Sequence, residues 1–363
     1  MTYREVSSTK VGKAKVSSTK VSSTKVSEAK VSEARVSEAR VSKTKQPLLK
    51  EDLKAVKKSP PKKILSKLKQ FLIALSGAIL SVQITHAGEG NFGWIYSLDL
   101  QPKGTWEIEQ RLQLTRGQAS GTYDYWYGRS ELAYGLSNNI QIAGYLNSYS
   151  INAAKNFTNP DACDQGVNPC TAGYGVPGSA GLSDSYSKKG IDGVSLEGIW
   201  RITNPVTEAV GVGLYLEPTI GKLKDAIEAR VILQSNFIDD RLQVVGNFVY
   251  EIERLKFDDE PIKETVFDFV GGFTYRVAPS WSLGLEYRFH NDFDGYHLNR
   301  QTQKAHFIGP NIHYASKNWW LTAAMRTQIG GSCWEPGDAE CSDGKVWDGH
   351  GRNEYLVKVG VPF

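Results

Sequence analysis

From Thr105 to Phe363 the chain keeps returning to one pattern, a stretch of about ten residues in which apolar and polar side chains alternate. In "TWEIEQRLQLT", Trp106, Ile108, Leu112 and Leu114 fall on one side, and Glu107, Glu109, Arg111 and Gln113 on the other. "GVSLEGIWRIT" sets Val194, Leu196, Trp200 and Ile202 against Ser195, Glu197 and Arg201. "AIEARVILQSN" sets Ile227, Ala229, Val231 and Leu233 against Glu228, Arg230 and Gln234. "WSLGLEYRFH" does the same with Leu283, Leu285, Tyr287 and Phe289 against Glu286, Arg288 and His290. Successive side chains of a strand point to opposite faces, so this period marks strands with one apolar face. Twelve such segments are expected: 105–115, 123–134, 140–152, 191–203, 209–219, 226–237, 242–253, 265–277, 281–291, 305–314, 319–329 and 353–363. An earlier stretch, Trp94–Gln101, also alternates and ends at the turn signal "PKG".

The connections alternate too. Tight ones (135–139, 204–208, 238–241, 278–280 and 316–319) are separated by longer ones (116–122, 154–190, 220–225, 254–264, 292–304 and 330–352). An up-and-down antiparallel sheet with one plain rim and one elaborated rim has this form, and outer-membrane barrels show it as short periplasmic turns and long outer loops. The segment lengths suit a membrane crossing, which takes roughly 9–11 residues per strand. Trp281, Trp319 and Trp320 beside short turns, and Tyr123, Tyr125, Trp126 and Tyr127 at the other rim, suggest interfacial girdles. A soluble sandwich would carry similar strands but no export signal. The expected fold is therefore all-β, an up-and-down antiparallel transmembrane β-barrel of twelve strands over 105–363.

The overall charge of +4 hides an asymmetry. Residues 1–70 carry 19 Lys/Arg against 6 Asp/Glu, and the remainder carries 24 against 33. At the junction, Lys62, Lys63, Lys67 and Lys69 precede the apolar run "FLIALSGAILSV", then "ITHA" and "GEG". Basic residues, a short apolar run and small residues define a secretory signal peptide, here 62–87, with cleavage between Ala87 and Gly88. The run falls short of the roughly 20 apolar residues of a spanning helix. Residues 6–45 are eight pentads of the type VSSTK or VSEAR. A period of five gives Val no stripe on either a helix or a strand, so 1–61 is expected to be a disordered basic leader and linker. Residues 88–104 are expected to lie in the periplasm or in the lumen.

Four cysteines fall in two local pairs within long connections, Cys163 with Cys170 and Cys333 with Cys341. An exported chain with this pattern is expected to close two small disulfide loops. Neither spacing suits a metal site, and no metal or other cofactor is expected. The chain ends "NEYLVKVGVPF", with Tyr355, Val357, Val359, Val361 and Phe363 on one face. This resembles the C-terminal assembly signal of bacterial outer-membrane proteins, which implies the barrel-assembly machinery as a partner. More widely, "DGVSLEGIWRI", "GLYLEPTIG", "LQSNFIDDRL", "APSWSLGLEYR" and "GPNIHYASKNWWLT" make residues 92–363 resemble a family of uncharacterised Gram-negative outer-membrane barrels. The resemblance implies a porin-like fold in outer-membrane lipid and lipopolysaccharide, and no assigned activity.

With apolar faces turned to lipid, the lumen is expected to carry Glu107, Glu109, Arg111, Arg129, Glu131, Glu197, Arg201, Glu217, Glu228, Arg230, Glu251, Glu253, Asp268, Arg276, Glu286, Arg288 and Lys358. Acids and bases interleave. They form either an ion-pair network filling a narrow lumen or a charged passage for small polar solutes, the acidic excess favouring cations. A rim hydrolase is the enzymatic alternative. "RFHNDFDGYH" offers His290, Asp292, Asp294 and His297, but no serine lies there and G-x-S-x-G is absent from the sequence. As a Ca²⁺ loop, Asp292 and Asp294 are too sparse. Loop aromatics such as Tyr174 and Tyr186 leave surface-ligand binding open. An acidic body disfavours nucleic acid. Mass spectrometry of protein purified from membranes is expected to find Gly88 first; a chain starting at Met1 would refute the leader.

Overall fold

A computed structural model describes residues 90–363, apart from 158–162, 164–169, 259, 335–340, 343 and 348–349. The pentads, the signal sequence and the Ala87–Gly88 junction lie outside the described residues. The strands are β1 (Trp106–Arg116), β2 (Thr122–Ser137), β3 (Ile140–Ala154), β4 (Ser185–Thr203), β5 (Gly211–Gly221), β6 (Lys224–Phe237) and β7 (Leu242–Leu255). They continue with β8 (Ile262–Ala278), β9 (Trp281–Asp294), β10 (Gln301–Ala315), β11 (Trp320–Cys333), the two-residue β12 (Cys341–Ser342) and β13 (Lys345–Val346), and β14 (Asn353–Pro362). A single turn of helix, α1 (Gly178–Gly181), sits in the loop before β4.

Twelve strands close one antiparallel barrel in which each pairs with its sequence neighbours, while β12 and β13 form a separate hairpin in the last long loop. Closure is made by β1 and β14, in register from Glu107↔Pro362 to Arg116↔Asn353. Trp106 and Phe363 exchange backbone hydrogen bonds of 3.0 and 2.8 Å at the short-turn rim. A barrel leaves no edge strand, so every ladder N–H and C=O can pair without water. Several strands run past the expected segments at the long-loop end; β4 begins at Ser185 rather than at 191. The extension is polar ("SYSKKG"), so the ladder continues there without any apolar face to announce it.

The apolar residues face out. Trp106 is 40% exposed, Leu196 67%, Val231 41% and Leu285 36%, and Tyr355, Val357, Val359, Val361 and Phe363 share that surface. Their polar neighbours Glu107, Glu197 and Glu286 are buried. This is a transmembrane barrel with an inside-out distribution relative to a soluble sandwich. Both cysteine pairs are bonded, Cys163–Cys170 and Cys333–Cys341, in loops on the long-loop side.

Two aromatic expectations need correction. Trp281 and Trp319 are exposed at the short-turn rim, but Trp320 is fully buried inside the barrel. Adjacent strand residues cannot share a face, and Trp320 takes the inward position over Gly360, where a Cβ would lie 2.1 Å from the indole. At the opposite rim Trp126 faces out, whereas Tyr123 and its alternate neighbour Tyr125 pack with Tyr149 and Tyr174 inside the mouth. Val231, midway along β6, is expected to reject charge: Val231→Arg should cost about 2–4 kcal/mol near the bilayer midplane. Urea titration of protein folded into vesicles, read by heat-shifted gel mobility, measures this.

Candidate functional site

Residues 90–101 run inside the barrel. The segment starts near Trp320 at the short-turn end, where Thr322 Oγ1 donates to Gly90 O. It rises to Trp94–Tyr96 at mid-height and returns to the same rim at Gln101. No strand pairs with it, so lumen side chains take over the ladder's role. Glu286 accepts from the backbone N–H of Gly93 (2.6 Å) and of Trp94 (2.9 Å). Asn247 acts like a facing peptide, accepting from Tyr96 N–H at 2.8 Å and donating to Tyr96 O at 2.9 Å. Gln234 accepts from Leu98 N–H (2.6 Å) and Gln141 from Gln101 N–H (2.7 Å). Arg111 and Arg201 donate to Gly93 O (3.1 Å) and Leu98 O (3.0 Å).

The segment buries Phe92, Trp94, Ile95, Leu98 and Leu100 against inward-facing Ile199, Ile232, Val245, Val249, Val270 and Leu356. Each such burial is worth roughly 1.5–3 kcal/mol. Arg326 lies 4.2 Å from the Trp94 ring centroid and Arg230 4.6 Å from that of Tyr96. Gly93 has no room for a side chain, since a Cβ would meet Ala324 Cβ at 2.6 Å.

Around and above this segment lie the charged groups. Glu107, Glu109, Arg129, Glu131, Glu197, Glu217, Glu253, Asp268, Glu286 and Lys358 are buried. Arg111, Arg201, Glu228, Arg230, Glu251 and Arg288 are half-buried. Arg276 instead is exposed at the short-turn rim, two residues from the end of β8, its Nη2 donating to Asp239 O at 3.4 Å. The central charges are paired: Arg129–Glu217 (2.7 Å), Arg230–Glu228 (2.5 Å), Arg288–Asp268 (2.5 Å) and Arg326 with Glu354. Low dielectric makes pairing obligatory, because a lone buried charge costs several kcal/mol.

At the long-loop end a cavity of about 210 Å³ opens between the wall and the outer loops. Its charged lining is Glu251, Glu253, Glu264 and Asp292 against Lys224 and Arg288, an acidic excess. Lys224 Nζ bridges Glu251 (2.7 Å) and Glu253 (2.5 Å). A second cavity of about 160 Å³ continues it to Trp94, at the segment's highest point. Below that, between the segment and β1, the open space shrinks to about 20 Å³.

The stretch "RFHNDFDGYH" divides. His290 and Asp292 point into the outer cavity, whereas Asp294 pairs with Arg300 at 2.6 Å on the surface and His297 is exposed. His290 contacts Asp268 and Asp292, each at 2.8 Å, and Arg288 at 2.7 Å. None of these contacts is a hydroxyl nucleophile. His350, from the last loop, completes the cluster with Nε2 3.5 Å from Asp292. Burial lowers the His350 pKa.

Sequence reasoning put Gln234 on a polar face without giving it a lumen role, and named none of Gln141, Asn247, Arg326, His350 and Glu354 as lumen residues. Gln141, Gln234 and Asn247 occupy inward positions among the named acids, so parity alone would have placed them in the lumen. The apolar residues at inward positions, Ile199, Ile232, Val249 and Leu356, were the signal that something apolar fills it.

These features define a porin-like outer-membrane β-barrel with an internal segment filling its short-turn half. The chain belongs to the DUF6662 family, a family of unknown function whose model matches residues 84–363. A comparison with curated proteins finds no match. Among solved structures, the chain is similar to the COG4313 outer membrane channel from Pseudomonas putida F1 at 10% identity, covering 76% of this chain and 100% of that one with a TM-score of 0.44. It is similar to the NanC porin at 11% identity, covering 70% and 98%, with a TM-score of 0.42. It is also similar to the KdgM porin at 10% identity, covering 71% and 99%, with a TM-score of 0.38.

Glu286→Ala strips the acceptor from two buried N–H groups, at a cost of roughly 1–3 kcal/mol each. The amides of Gly93 and Trp94 are expected to exchange with solvent much faster in this variant, with the strand amides still protected, as hydrogen-exchange mass spectrometry would show.

Proposed function

We propose that the protein is a narrow passive channel for small polar solutes, preferring cations, in the outer membrane of a Gram-negative bacterium. Lipopolysaccharide and phospholipid would surround it. The alternating terminal strand ending at Phe363 would serve the barrel-assembly machinery. The observation that carries this reading is the acidic cavity at the long-loop end, with a charge-balanced one beneath it that reaches Trp94 of the segment 90–101. A purely structural barrel has no need of such an entry. An acidic wall in a low-dielectric surround raises the local concentration of cations and repels anions.

In this reading the internal segment is the barrier. It is held by side-chain hydrogen bonds and apolar packing rather than by a strand ladder, so it can leave without breaking the barrel. Passage would require its displacement toward the short-turn side, where Gly90 and Gln101 lie. The alternative, an envelope protein that never conducts, makes a different prediction.

Planar-bilayer recordings separate the two. The folded protein is expected to conduct weakly, and removal of Asn91–Asp99 is expected to raise the current several-fold with selectivity for K⁺ over Cl⁻. Heat-shifted gel mobility verifies that the deletion variant folds. A folded deletion variant that carries no more current than the intact protein would overturn the channel reading.

A further inference from the structure

Among the described residues, a cluster that neither the ion-pair network nor the internal segment accounts for lies at the outer cavity. We propose that His290, Asp292 and His350 bind a divalent transition-metal ion of the zinc type, joining β9 to the residues just ahead of β14. The proposal stands whether or not the barrel conducts.

The donor set comes first. Two imidazoles and one carboxylate suit Zn²⁺ and its borderline neighbours rather than Ca²⁺ or Mg²⁺, which take oxygen. The ligand atoms all lie within 4.8 Å of one another. His290 Nε2 is 2.8 Å from Asp292 Oδ2, and His350 Nε2 is 3.5 Å from the same oxygen. Ligands of a tetrahedral zinc with bonds of about 2.0–2.1 Å stand about 3.3 Å apart. The observed separations bracket that value, so small side-chain rotations would seat an ion.

The surroundings fit as well. Metal-bound histidines usually give their second N–H to a carboxylate, which fixes the ring. Asp268 Oδ1 stands 2.8 Å from His290 Nδ1 in that position. Arg288 Nη2 is also 2.7 Å from this nitrogen, but Asp268 Oδ2 holds its guanidinium at 2.5 Å from Nε. With the Nδ1 proton given to Asp268, His290 Nε2 presents its lone pair toward Asp292 and His350. Gln303 Nε2 donates to Asp292 Oδ2 at 2.7 Å and steadies the carboxylate. The side chains of His290, Asp292 and His350 are only 3%, 9% and 12% exposed, yet all three line the cavity of about 210 Å³. The cavity supplies a route for the ion and space for a water as fourth ligand.

A metal-free His–Asp ion pair is the competing explanation. It accounts for His290 against Asp292 at 2.8 Å, but His350 Nε2 stands 3.5 Å from the same oxygen, long for a hydrogen bond and close to the spacing of two ligands on one ion.

Calorimetric titration of ZnCl₂ into the folded protein in detergent, after chelator treatment, tests the proposal. One ion per chain is expected to bind, and His350→Ala should weaken binding at least tenfold. His290→Ala should do the same, while His297→Ala, at an exposed histidine of the neighbouring loop, should leave binding unchanged. His350 lies outside the barrel ladder, so His350→Ala decides the matter even if His290→Ala fails to fold. Absence of binding to the intact protein, or equal affinity in the folded His350→Ala variant, would overturn the site.

Discussion

A peptide group without water must find a partner within the protein, and that requirement shapes this molecule twice. In the wall it forces the sheet to close, with β14 returning to β1 so that no strand edge meets lipid. In the lumen it governs the segment 90–101, which has no strand to lie against. Glu286, Asn247, Gln234 and Gln141, drawn from four different strands, stand in for one. The pairing spans most of the segment's length, so the segment has a defined path rather than a collapsed one.

The lumen therefore has layers with different physics. Near the short-turn end the segment's own apolar side chains, Phe92, Leu98 and Leu100, fill it as a core would be filled. At mid-height, arginines and carboxylates neutralise one another and hold the aromatic rings of Trp94 and Tyr96. At the outer end the carboxylates outnumber the cations and open space appears. A solute entering from the long-loop side would meet an acidic chamber before any barrier. Below it lies the segment 90–101, held by side chains rather than by the wall's ladder.

Much of the wall was legible before any coordinates. Period-two alternation in stretches such as "TWEIEQRLQLT" fixes which side of each strand is apolar, and the succession of tight and long connections fixes the up-and-down order. Trp320 shows the limit. A tryptophan beside a short turn reads as a girdle residue, yet strict alternation with Trp319 turns it inward, and Gly360 across the sheet makes the room. The tyrosines at 123 and 125 were misplaced for the same reason: aromatic clustering was given more weight than parity. The role of Gln141, Gln234 and Asn247 went unread because an amide in a strand signals nothing until a backbone arrives to bind it.

The sequence by itself determined the barrel, because lipid and backbone pairing act on each strand locally and leave their mark on every second residue. It also determined which residues share a face. Only the tertiary structure decided what occupies the lumen, because that depends on contacts between residues far apart in the chain, such as Gly93 with Glu286. The meeting of His350 with His290 and Asp292 belongs to the same class. No spacing along the chain encodes it, since the last loop, which joins β11 to β14, reaches His290 of β9 across Phe307 of β10.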